Sequence, residues 1–123
     1  MADITPQFQP GQGLTCTAAG AIVGGQVVMT SGTAVRTVVT ATAAAANVVG
    51  VASRDAANGQ EVGVQNSGVY MLTATGAIAS GADVVAAATG TVATVGANTF
   101  GTVVGKALQD IANAQQGEIL LTL

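Results

Sequence analysis

Asn47-Val48-Val49-Gly50-Val51-Ala52-Ser53-Arg54-Asp55-Ala56-Ala57-Asn58 returns 55 residues later as Thr102-Val103-Val104-Gly105-Lys106-Ala107-Leu108-Gln109-Asp110-Ile111-Ala112-Asn113, with seven of the twelve positions identical. Each copy reads as a buried Val-Val-Gly strand. A polar connection follows, where Asx side chains satisfy nearby backbone N–H groups. A return strand then opens on a glutamate: Glu61-Val62-Gly63-Val64 in one copy, Glu118-Ile119-Leu120-Leu121 in the other. Upstream, Ala21-Ile22 to Val28 resembles Ala77-Ile78 to Val85, with Gly25 and Gly81 in register. The repeat therefore spans about residues 21–65 and 77–121. Each unit is expected to be a meander, and two units packed face to face would share one Val/Ala core.

The rest of the chain agrees with this β reading. After residue 13 there is no proline, and valine and threonine are abundant. Their branched side chains favour a pleated surface. Short apolar runs bounded by Gly, Ser, Asn or Asp predict strands at 14–18, 26–30, 33–40, 48–52, 61–64, 69–74, 83–87, 92–95, 103–107 and 118–123. Ala41 to Ala46 reads equally as a helical turn or a loop. The fold class is all-β, a small barrel or sandwich of two meander-like repeats. Residues 14–123 form one β-domain. Residues 1–13 differ: they hold Pro6 and Pro10, three glutamines, and Phe8 between the prolines. Proline and the residue before it favour extended backbone, so this segment is expected to be an N-terminal arm.

Composition bounds the function. The chain has 123 residues, and half are apolar, yet it has no Trp, one Tyr and two Phe. Aromatics usually supply the largest burial in a core, so a lone copy has a thin core. Only 7% of residues are charged, against roughly 25% in an ordinary soluble domain. So little charge implies that much of the surface is covered in an assembly. Disorder needs low hydrophobicity and high net charge, whereas mean hydropathy is +0.58 and net charge is -3. Arg36, Arg54 and Lys106 are scattered and make no basic face for nucleic acid. No apolar stretch is long enough to span a bilayer, and the first residues lack a Sec signal. Synthesis in the cytoplasm is expected.

No residue set supports catalysis. There is no His, which removes the commonest general base. Cys16 is alone, within an alternating strand pattern, and reads as a buried structural residue. The carboxylates Asp55, Glu61, Asp110 and Glu118 stand beside turns, where capping explains them. Asp55, Asn58 and Glu61 offer oxygen ligands for calcium, but their spacing does not match an EF-hand. The glycine-rich pieces lack the Lys-Ser/Thr of a phosphate loop. The Thr-rich fragments lack the short strict repeat of an ice-binding solenoid. No enzyme, metal or cofactor is expected.

The order of residues Gly25 to Val28, Val49 to Val64, Gly68 to Tyr70, Gly76 to Val84 and Gly117 to Leu121 resembles the small capsid cement, or decoration, proteins of tailed bacteriophages. The likeness covers roughly residues 14–123. It implies a β-barrel or β-tulip-like module on the outer surface of the mature phage head. It further implies a homotrimer at three-fold and quasi-three-fold positions, tying major capsid protein subunits together. By the same analogy the arm lies on the capsid lattice, with Ile4, Pro6, Phe8 and Pro10 as the capsid-binding residues, adding a strand to a sheet edge. The chain departs from the family in its scarcity of large aromatics, which strengthens the need for assembly. A head-surface appendage binding a host receptor or glycan is the alternative. Exposed aromatics would favour it, and only Tyr70 and Phe100 are available.

Overall fold

The computed structural model describes residues 13–32, 34–43, 45–95 and 103–123. The described residues form ten strands: β1 (Leu14–Ala18), β2 (Val27–Thr30), β3 (Thr37–Thr40), β4 (Val48–Ala52), β5 (Glu61–Gln65), β6 (Gly68–Thr73), β7 (Asp83–Ala86), β8 (Val92–Thr94), β9 (Val103–Ala107) and β10 (Gln116–Leu121). The first five close into a barrel of order β1-β3-β2-β4-β5, and the last five make a sheet of order β6-β10-β9-β7-β8. The chain is all-β, with one 3-10 turn, at Ala88–Gly90, among the described residues.

The two five-strand runs use the same local devices. Ile22 bridges Ala56, and Ile78 bridges Ile111. The β2–β4 ladder shifts register between Val28 and Met29, and the β7–β9 ladder between Val84 and Val85. Asp55 Oδ1 accepts the Gly24 N–H at 2.7 Å, and Asp110 Oδ1 accepts the Ser80 N–H at 2.8 Å. These aspartates reach across 31 and 30 residues, so they staple distant loops. The sequence had suggested local turn caps.

Closure separates the runs. In the barrel, β1 pairs antiparallel with β5 and parallel with β3. In the sheet, the matching parallel contact shrinks to the single bridge Ala74–Val92.

The core is not a single Val/Ala layer. Cys16, Ile22, Val28, Val38, Val62 and Val64 belong to a cluster inside the barrel. A second cluster joins the outward side of the barrel (Val27, Val48, Val51) to the inner side of the sheet (Leu72, Val84, Val104, Ile119). Val27 and Val28 are neighbours, and both are fully buried. A strand covered on both faces accounts for such a continuous apolar run. The seam is tied by Gln26 Nε2 donating to the Thr89 carbonyl at 3.2 Å and the Gly90 N–H donating to the Ala41 carbonyl at 3.1 Å.

Two expectations differ in detail. The strand expected at 33–40 begins at Thr37, because Arg36 turns to φ 48. Ala41 to Ala46 holds no helix among its described residues, and Ala41 and Ala45 are buried at the seam.

Candidate interaction surface

β6 lies at the end of its sheet. It pairs with β10 from Gln116–Thr73 to Leu121–Gly68. The Ala74 N–H donates to the Gln115 carbonyl at 2.9 Å. Bonded pairs alternate along an antiparallel ladder, so Leu72 and Tyr70 turn their main-chain groups to β10. Val69, Met71 and Thr73 turn theirs the other way, and no strand meets them among the described residues. On that side the Thr75 N–H donates to the Val92 carbonyl at 2.8 Å, and the contact goes no further along β6. An open edge of this kind is a template for another strand.

The outer face of the same sheet is apolar. Val69 stands opposite Leu120, and Met71 opposite Glu118. Val69, Met71 and Leu120 are 48%, 51% and 38% exposed. Directly opposed residues share a face, so the three form one patch. It borders the Lys106–Asp83 ion pair, 2.9 Å long and half exposed at both ends. Such a pair contributes at most about 1 kcal/mol.

Between sheet and barrel runs a cleft of about 530 Å³, lined by Val51, Ala52, Ser53, Gln65, Tyr70 and Met71 among others. The Tyr70 hydroxyl donates to Gln65 Oε1 at 3.5 Å. Gly13 abuts the same glutamine: a Cβ there would lie 2.6 Å from Gln65 Nε2. Gly13, the first described residue, thus lies beside one of the residues lining the cleft.

Ile4, Pro6, Phe8, Pro10 and Phe100 lie outside the described residues. Tyr70 lines the cleft. Among the described residues, no three His, Cys, Asp or Glu side chains gather where they could hold a metal ion, and Asp55 is engaged with Gly24. No described helix is long and apolar enough to cross a membrane. The open edge and its patch went unnoticed in the sequence. The signal was the run Val69-Tyr70-Met71-Leu72, apolar at both strand parities.

Cys16 is 3% exposed, and burial pushes its thiol above the ordinary value of 9.0, with Arg36 pulling weakly the other way. The unfolded chain then releases this proton at lower pH than the folded one. Stability from this group is full below about pH 8 and falls as pH rises through 9 and beyond. In the native protein Cys16 is expected to resist a thiol reagent at pH 8 and to react fully in denaturant. Rapid stoichiometric labelling without denaturant would contradict the burial.

Comparison with known proteins bears on these features. The family model described as phage cement protein matches residues 8–123. No curated protein matches the chain. Among solved structures, the crystal structure of the head fiber gp8.5 N base in bacteriophage phi29 is similar. It has a TM-score of 0.70 and 17% identity, with 89% of this chain and 92% of that one covered. At that identity the likeness speaks for the fold.

Proposed function

The chain belongs to the phage cement protein family, and we propose on that premise that it binds the outer surface of the phage head and bridges neighbouring major capsid protein subunits. It is a structural protein of the phage head, and the family match over residues 8–123 carries the reading. The open β6 edge, the Val69–Met71–Leu120 patch and the scarcity of charge support it, since all three suit a surface covered in an assembly. The working unit is a homotrimer. Each arm meets the capsid through Ile4, Pro6, Phe8 and Pro10. Three linked arms raise effective concentration, so weak single contacts add up to firm attachment.

Co-sedimentation with expanded, undecorated capsids tests this. The full chain is expected to bind saturably, and deletion of residues 2–13 to weaken binding by about a hundredfold. Equal binding by both forms would move the contact to the β-domain. No binding by either would remove the cement reading. It would favour a head-surface appendage for a host receptor or glycan, a role that Tyr70 in the cleft supports.

A further inference from the structure

We propose that Asn58 is a deamidation site that the folded barrel holds closed: its side-chain amide converts to aspartate and isoaspartate when β1 leaves the turn at Asn58–Gly59, and not before. The inference concerns the lifetime of the chain and does not depend on capsid binding.

The chemistry needs only the chain and water. The main-chain nitrogen that follows an asparagine, once it has lost its proton, attacks the side-chain Cγ. A C–N bond forms, a cyclic imide closes, and the side-chain nitrogen leaves as ammonia. Water then opens the ring at either carbonyl. One opening gives aspartate. The other gives isoaspartate, in which the main chain runs through the former side chain and is longer by a carbon. A glycine after the asparagine has no Cβ and leaves the attacking nitrogen unhindered. Of the five asparagines, Asn58 alone precedes a glycine.

The fold opposes the first step in two ways. The nucleophile is engaged: the Gly59 N–H donates to the carbonyl of Ala18, the last residue of β1, at 2.7 Å. Removing that proton forfeits the bond as well. The turn also has the wrong shape. The Gln60 N–H donates to the Ala57 carbonyl at 3.0 Å, Gly59 has φ 85, and Asn58 keeps a negative φ, so residues 57–60 make a type II turn. In such a turn ψ of the first central residue is about +120°, which directs the Gly59 nitrogen away from the Asn58 side chain. Ring closure needs ψ of the opposite sign. Gln60 Oε1 fixes the turn further by accepting the Ala57 N–H at 2.8 Å. Asn58 itself is exposed, so water is not what is withheld.

The second repeat supplies the contrast. Asn113–Ala114 occupies the same turn, with the Gln115 N–H on the Ala112 carbonyl at 3.1 Å and the Ala114 N–H on the Ala74 carbonyl at 2.9 Å. There the following residue carries a Cβ, at φ 64, and Asn113 Oδ1 accepts the Gly76 N–H at 2.8 Å. Among the described residues no such bond ties down the Asn58 side chain. A free amide beside a glycine thus belongs to the first copy, where main-chain geometry alone guards it.

Opening has a lasting result. β1 closes the barrel against β5 and β3. Isoaspartate at position 58 lengthens the turn that holds Gly59 against Ala18, so a chain that dwells unfolded returns with this closure weakened. Asn58 records time spent with the barrel open.

Peptide mass spectrometry of the full chain, kept in mildly alkaline buffer with and without denaturing guanidinium chloride, tests the proposal. Conversion at Asn58 is expected to be at least about tenfold slower in the native protein, because reaction waits on opening. In denaturant Asn113 is expected to lag behind Asn58. Val62→Ala, in β5 opposite Cys16, loosens the β1–β5 contact without touching the turn. It is expected to speed native conversion of Asn58 and hydrogen exchange of the Gly59 amide by similar factors. Native conversion as fast as in denaturant would overturn the proposal. So would a Gly59 amide that exchanges freely while Asn58 stays intact, or a Val62→Ala protein whose Gly59 exchange accelerates without faster conversion.

Discussion

Gly105→Ala is expected to lower the melting temperature by about 15 °C. Gly105 sits in β9, between β10 and β7, opposite Leu121 and Val84. A Cβ there would fall inside contact distance of the Leu120 carbonyl oxygen, 2.9 Å from the carbonyl carbon and 3.1 Å from Ile119 Cγ2. The first two obstacles are backbone, so no side chain can swing aside. β9 must shift, and the ladders on both sides shift with it. Overpacking of this kind costs about 3 kcal/mol, and each kcal/mol lowers the melting point of a domain this size by about 5 °C. Gly50 is its counterpart in the barrel, blocked by the Gln65 backbone and by Val64 Cγ1 at 2.8 Å, and Gly50→Ala should behave alike. Gly20, with open space around it, is the control: Gly20→Ala is expected to stay within about 0.5 kcal/mol. A Gly105→Ala protein melting with the parent would show that β9 and β10 are less closely apposed.

Leu72→Ala comes next, at about 3 kcal/mol. The largest fully buried side chains are Ile22, Leu72 and Ile119, followed only by valines. Among the described residues no Phe or Tyr is buried, so each of these three carries an outsized share of the buried area. Leu72 also stands opposite Gly117 in β10, which has no side chain to settle into the gap. The Ile111 side chain lies over Gly117 in the same cluster, so the cost is set by how far it can move to close the gap. Denaturant titration reads it directly. A loss under about 1 kcal/mol would mean that the sheet closes over the vacancy.

The sequence carried the fold class and the approximate positions of the ten described strands, because short Val/Thr runs between Gly and Asx turns admit little else. Where it went astray, a nonlocal contact decided. The left-handed turn at Arg36 shortens β3, yet arginine carries no turn signal. Asp55 and Asp110 were legible as capping residues, but their partners Gly24 and Ser80 are fixed only once β2 and β4, or β7 and β9, are paired. The division of the core escaped for a similar reason. Val27 and Val28 are chemically identical, and nothing local says that one faces the barrel and the other the sheet. The open β6 edge was invisible because edge position is a property of strand order, not of any strand's own residues.

Strand order also sets a timetable. Within each run the first strand waits for the fifth, β1 for β5 and β6 for β10, so neither ladder starts from a neighbouring hairpin. Closing such long loops before their contacts form makes folding slow, in the range of milliseconds to seconds. The barrel has all its strands by Gln65, and its outward valines then offer the later run a surface on which to assemble. A growing chain can thus commit its first half before the second exists, while a chain stalled before β10 leaves β6 without its ladder and β9 paired on the β7 side alone, with adhesive edges.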